Sequence, residues 1–457
     1  MGGIEMKKRK KIFSMFLVLA LLISTVLVGC SSSGESQSSV APSSGSATSN
    51  GSGNQKLKAN LRILYPGTTD VEKNWAATVV NKLHETQPDI NVEYIFLSWT
   101  DLEKKMTVMV QSHDYPDVMQ IQDITNPVAM KALEPLDSYM GGKIKKDQFV
   151  PAALDNMISD GKTYAIPLLM IPYSHVVNTE VLNKAGIKPD SLKSWSDITA
   201  ATKKIASTGA NGYAMANGGD GRFTFRDLEM LALSDGFTPD DVSDKTKPKY
   251  LETLKLISDL APTMPKSQST WQYPELFKAW EEGKIGMMHT GSYFTANVVA
   301  HGTKSMDRTQ VVPFPQGPSA SKQTIMVGAV GYSILAGSEN KEAAWKFIEA
   351  AMDSSVLSKL AGSINAPAVT YLPDDKLLES AKKAYGDDVG QKHIKMVKEF
   401  QDAAKKYGVR QPSIIGQPAM AKVLQSAIVK LTNKEITPEQ AYELIKTGIN
   451  EVKESLK

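Results

Sequence analysis

The six histidines, His84, His113, His175, His289, His301 and His393, include no pair four residues apart, so the two-histidine zinc helix is absent. No Gly-x-Ser-x-Gly turn presents a nucleophilic serine. Gly161-Lys162-Thr163 imitates the end of a phosphate-cradling loop, but Asn156 stands where that loop needs its first glycine. Glu281 and Glu282 are adjacent, and helix neighbours point apart, which makes a poor acid–base pair. Asp374-Asp375 and Asp387-Asp388 are isolated and read as solvated. Cys30 is the single cysteine, which excludes an intramolecular disulfide and a cysteine-based zinc cluster. No metal and no cofactor is expected. What remains is recognition chemistry. Trp99, Trp271 and Tyr273 stand in polar stretches, where a large aromatic is more informative than in a helix. Asp220 and Arg222 lie in Gly218-Gly219-Asp220-Gly221-Arg222-Phe223, whose glycines let backbone approach a ligand closely.

These residues need a scaffold. The chain has 457 residues, enough for two or three domains of ordinary size. At 42% hydrophobic and 22% charged it has the balance of a folded protein, which rules out global disorder. The formal charge of +3 sits in the leader: residues 1–29 carry +4, and the remainder is −1 with its signs interspersed. Nucleic acid is therefore not an expected partner. Residues 7–11 (KKRKK) precede an uncharged run of 17 residues, 12–28, slightly short for a membrane span and right for a secretory signal. Leu27-Val28-Gly29-Cys30 follows. Residues 31–55 are almost all Ser, Gly, Ala, Thr, Asn and Gln and cannot bury apolar surface, so 30–56 reads as a tether.

The body reads as α/β with mainly parallel sheet. Strands are predicted at 59–65, 90–97 and 117–121, and helices at 70–87, from a capping box at Thr100–Glu103, and from Trp195. Further helices are predicted at 343–352, 418–431 and 438–456. There is no internal repeat.

Several phrases line up in one order: Tyr115-Pro116-Asp117-Val118; Asp160-Gly161-Lys162-Thr163-Tyr164-Ala165-Ile166-Pro167; Val177-Asn178-Thr179-Glu180-Val181-Leu182 with Ser194-Trp195-Ser196-Asp197; Phe277-Lys278-Ala279-Trp280-Glu281-Glu282-Gly283-Lys284; Thr290-Gly291-Ser292-Tyr293; Val312-Pro313-Phe314-Pro315; and Asn340-Lys341-Glu342-Ala343-Ala344-Trp345. Together, over roughly 57–457, they resemble the family 1 extracellular solute-binding proteins, the maltose-binding-protein-like lipoproteins of ABC importers. Residues 27–30 are similar to a bacterial lipobox. The resemblance implies removal of residues 1–29 and diacylation of Cys30, anchoring the chain to the outer face of a cell membrane of Gram-positive type.

The resemblance further implies a two-lobe periplasmic-binding-protein-like fold of type II, with hinge crossovers between discontinuous lobes. Lobe 1 is expected at 57–173 and 316–355, and lobe 2 at 174–315 and 356–457. The function implied is capture of a mono- or oligosaccharide in the interlobe cleft by a monomer, with delivery to permease subunits and no enzymatic step. Sugar sites pair flat aromatic faces with groups that bind hydroxyls. By family position Asp123, with Gln122 beside it, is the hydroxyl-binding acid and Tyr293 the cleft aromatic, at a place where many sugar binders carry Trp. Asp220 and Arg222 reach the cleft from the second lobe. Gly67 and Thr68 end the first strand, Tyr173 lies at the first crossing, and Trp99, Trp271 and Tyr273 complete the aromatic set. Trp195, Trp280 and Trp345 are expected in the core. Two alternatives stand: the same fold binding a polyamine, peptide or oligoanion, and a membrane-tethered glycoside hydrolase, which needs only two distant carboxylates.

Overall fold

A computed structural model describes residues 56–67, 70–301 and 303–457. The leader, Cys30, nearly all of the tether and Thr68 lie outside the described residues. Among the described residues eleven strands form: β1 Ala59–Pro66, β2 Ile90–Leu97, β3 Val118–Ile121, β4 Ile158–Ser159, β5 Lys162–Thr163, β6 Ile166–Asn178, β7 Asn211–Tyr213, β8 Ile285–Gly291, β9 Thr309–Val312, β10 Ile325–Ile334 and β11 Gly408–Arg410. β4 and β5 pair only with each other. The other nine form one sheet, with the order β2-β1-β3-β10-β6-β8-β7, β11 added to β10 and β9 added to β6.

The expectation of a mainly parallel sheet fails at its centre. β1–β2, β1–β3, β7–β8 and β10–β11 are parallel, but β10 runs antiparallel to β3 and β6, and β6 antiparallel to β8 and β9. β6 and β10 are neighbours at the centre of the sheet and run in opposite directions. All 13 residues of β6 and all 10 of β10 are buried. Such strands need helices on both faces and so read as continuous apolar runs. β6 pairs with β10 up to Pro172, then with β8 from Tyr173 and with β9 from His175. Proline has no N–H to give a ladder, so it is tolerated where the strand changes partners.

The first lobe is β1–β3 with the helix Asp70–His84, against which Lys341–Ala351 and Ser354–Ser363 pack. Trp75 stacks on Tyr332 at 6.1 Å. The second is built on β7–β9 with Trp195–Ser207, Arg222–Ser234, Lys247–Leu260, Tyr273–Glu281, Gln417–Thr432 and Pro438–Ser455. Trp280 is wholly buried there, and its indole N–H donates to Thr309 Oγ1 at 2.9 Å. Trp195 and Trp345 are buried too. Pro367 bridges to Leu169 and Val369 to Phe149. The Ser319 amide donates to Asp235 at 2.8 Å and the Trp195 amide to the Gln316 carbonyl at 3.2 Å. Among the described residues no helix is long and apolar enough to cross a membrane.

Candidate functional site

β3 delivers Gln122 and Asp123 into the loop at its carboxyl end. Asp123 Oδ1 accepts the Thr125 amide at 2.8 Å, an Asx turn that opens the short helix Thr125–Ala129. Opposite, in the second lobe, the glycine loop feeds the helix Arg222–Ser234. Gly221 caps that helix with φ 86°, a conformation favouring glycine, and a side chain there would also collide with the Ala421 carbonyl. Gly218 lies so close to the Thr270 and Trp271 carbonyls that any side chain would clash. The Gly218 amide also donates to the Trp271 carbonyl at 2.7 Å, tying the two loops together.

Helical spacing then sets the chemistry. Arg222 and Arg226 are four apart and share a face, with Glu229 three further on. The Arg222 guanidinium reaches across and donates to Gln122 Oε1 at 3.0 Å. Arg226 donates to Glu229 at 2.8 Å and lies 5.3 Å from the Tyr173 ring centroid, a cation–π distance. Tyr293 stacks on Tyr273 at 5.5 Å and meets the edge of Tyr173 at 6.2 Å, while Phe223 lies 4.1 Å from Tyr273. Gln411, just after β11, donates to Glu229 at 3.5 Å. Two arginines, three tyrosines, a phenylalanine, a carboxylate and two amides thus meet where β6 passes between lobes.

The Arg226–Glu229 pair is lopsided. Burial pushes Glu229 up to about 7, with Arg226 opposing and the Asp123 charge adding to the rise. Arg226 keeps its proton: although its burial works against the charge, the surrounding tyrosines and Glu229 favour it more strongly. Burial, then the charge of Arg226, lowers the pKa of Arg222. Burial raises all three tyrosines, so they are neutral phenols.

Gln122, Arg222, Tyr173, Tyr273 and Tyr293 are therefore brought together, with Asp123 near enough for its charge to be felt at Glu229. The others lie apart or have other contacts. Asp220 is exposed and accepts the Arg222 amide at 3.2 Å. Trp99 is the first residue of the helix Trp99–Gln111, not a loop residue, and is half-buried against the first-lobe core. Its cap is Ser98, not Thr100: Ser98 Oγ accepts the Asp101 amide at 3.2 Å. Trp271 is half-buried against the second-lobe core, and Gly67 is buried against Tyr65 and Glu72. Arg226, Glu229, Phe223 and Gln411 escaped the sequence reading. The signal was Arg-x-x-x-Arg-x-x-Glu on a helix whose other positions are largely apolar.

Behind the cluster, His289 Nε2 lies 3.0 Å from Asp227 Oδ1 and its Nδ1 faces the Tyr213 hydroxyl. At 1% and 2% exposed, the His289 and Asp227 side chains are sealed from any solute. Among the described residues no three His, Cys, Asp or Glu side chains group as metal ligands. A cavity of about 370 Å³ opens on the first lobe, away from this cluster, and its Lys82, Lys143 and Lys346 pair with Glu85, Glu349 and Asp353.

Known proteins share this architecture. The bacterial extracellular solute-binding protein family matches residues 65–356. A binding protein of Brucella abortus is 26% identical over 279 residues, 59% of this chain; the match spans 66% of that relative, just under two thirds of its length. A diacetylchitobiose binding protein of Streptomyces coelicolor is 25% identical over 68% of this chain and 72% of its own. The solved structure of a chitin oligosaccharide binding protein superposes with TM-score 0.73 at 19% identity, covering 86% of this chain and 99% of that one. By the match over residues 65–356 this chain belongs to the bacterial extracellular solute-binding protein family.

Proposed function

We propose that the chain captures a mono- or oligosaccharide between its lobes and presents the closed form to an ABC permease, with no covalent step. The observation that carries this reading is the 3.0 Å bridge from Arg222 to Gln122, which joins the lobes beside three convergent tyrosines. Tyrosine faces suit the C–H face of a pyranose, and amides, guanidinium and Asp123 suit its hydroxyls. The ligands named for two similar proteins, diacetylchitobiose and a chitin oligosaccharide, support the saccharide class. Binding energy shifts an open–closed equilibrium only through contacts made better in the closed state. Gln122 on one lobe and Arg222 on the other supply such contacts. In this reading the crossings lie at 172–173, 320–325 and 369–411, and the first lobe keeps residues 356–369. Cys30 carries the lipid that holds the body outside the cell membrane.

The test is the melting temperature of the full chain in detergent against mono- and oligosaccharides, with polyamines and peptides as controls. A ligand at 100 times its dissociation constant stabilises by about 2.7 kcal/mol, a shift of several degrees. A shift with one saccharide that is recovered unchanged supports capture. Consumption of the sugar would make the chain an enzyme, and a shift only with polyamines or peptides would replace the ligand class.

A further inference from the structure

Resting on the saccharide reading, we infer that the captured sugar is acidic, with a uronosyl carboxylate seated on Arg222.

Helical spacing places Arg222 and Arg226 on one face of Arg222–Ser234, and the single carboxylate of that cluster, Glu229, pairs with Arg226 at 2.8 Å. Among the described residues no carboxylate pairs with Arg222; its guanidinium donates to the neutral Gln122 Oε1 at 3.0 Å. A guanidinium taken partly out of water beside another cation is disfavoured. Both effects act on Arg222. The tyrosines around it are neutral and cannot offset its charge. Asp123 places a negative charge on the opposite lobe, where it is felt at Glu229. Glu229, pushed up to about 7, neutralises Arg226 only in part near neutral pH.

A planar carboxylate meets a guanidinium fork with two parallel hydrogen bonds, and it brings the charge that Gln122 lacks. The amide oxygen of Gln122 makes one such bond, so it acts as a neutral stand-in that a ligand carboxylate would displace. Of the three tyrosines, Tyr293 keeps exposed surface that can cover the ring bearing the carboxylate, while Tyr173 and Tyr273 are buried behind it. A neutral sugar would bring no carboxylate to the guanidinium of Arg222.

The experiment is titration calorimetry on the full chain in detergent with galacturonate and glucuronate oligomers of one to three units. Each is run against its methyl ester, which keeps the rings and removes the charge, with maltotriose and diacetylchitobiose alongside. The expected result is an acid bound at least tenfold more tightly than its ester. In Arg222→Gln that preference is expected to vanish while the melting temperature of the unliganded chain stays within a few degrees. Arg222→Lys, which keeps the charge and loses the fork, should retain part of it. Equal affinity for acid and ester, or binding of neutral sugars only, would overturn the inference and leave saccharide capture standing. An acid preference that survives in Arg222→Gln would overturn the assignment to Arg222. If no saccharide of either kind binds, the saccharide reading fails and the inference fails with it.

Discussion

Glu229 is the residue whose charge state the fold contests most visibly, because Arg226 is its partner and burial its opponent. Removing one member of a buried ion pair costs about 3–5 kcal/mol when the other stays charged. Glu229 has an escape, since it can take a proton. Arg226→Ala should therefore cost less at pH 5 than at pH 8. The sign follows from linkage: a carboxyl raised in the fold holds more protons folded than unfolded, so stability falls as pH climbs from its unfolded value towards about 7. Loss of Arg226 extends that fall to higher pH, and the deficit of the variant grows. Urea denaturation at both pH values checks this, and a pH-independent deficit would contradict it. The comparison must be between variant and parent. Burial lowers His175 to about 3 and His393 to about 4, which favours the folded chain as pH rises through much of the same range and masks the trend in either protein alone. Gln122 and Asp123 were singled out by family position, at the end of the short, buried strand β3. Arg226 and Glu229 were not, since charges three and four apart on a helix ordinarily mark a solvated face, and only the burial of this helix turns them inward.

At the scale of elements, β1, β2 and the helices beginning at Asp70 and Trp195 follow the sequence reading to within a few residues, because local periodicity and caps set them. Ser194 capping Trp195–Ser207 is one such local signal. β6 was not legible as one strand. Pro167 and Pro172 break its pattern, and its continuity comes from three different partners supplied by distant parts of the chain. The same tertiary origin explains why the sheet is antiparallel at its centre. The helix that carries Arg222 depends on Gly221, whose left-handed backbone costs an L residue roughly 1–2 kcal/mol before the collision with the Ala421 carbonyl is added. Gly221→Ala should therefore destabilise by more than about 1 kcal/mol and weaken ligand binding together, since Arg222 is the next residue. Stability and affinity measured on the same preparation test this, and an unaffected affinity would show that Arg222 does not depend on the turn. Trp280→Ala should cost about 3–5 kcal/mol, as expected for emptying a buried aromatic site, and also strands the Thr309 hydroxyl. Its effect should appear in denaturant unfolding without a change in ligand preference.

For the molecule as a whole, buried Ser292 donates to Asn365 across the lobes, and further hydrogen bonds between them among the described residues include Arg222 to Gln122 and the Gly416 amide to Asn126 Oδ1 at 3.4 Å, the last two lying beside the cleft. Both use neutral acceptors on the first lobe, so a solute with better acceptors can replace them. Cys30→Ser should abolish labelling by palmitate and move the chain from the membrane fraction to the medium, and retention in the membrane fraction would point to an uncleaved leader. The most direct test of saccharide capture between the lobes is the melting temperature of the full chain with and without saccharides, run beside Tyr293→Ala. A rise of several degrees with at least one saccharide is expected, with loss of that rise in the variant. No rise with any saccharide, or an equal rise in Tyr293→Ala, would contradict it.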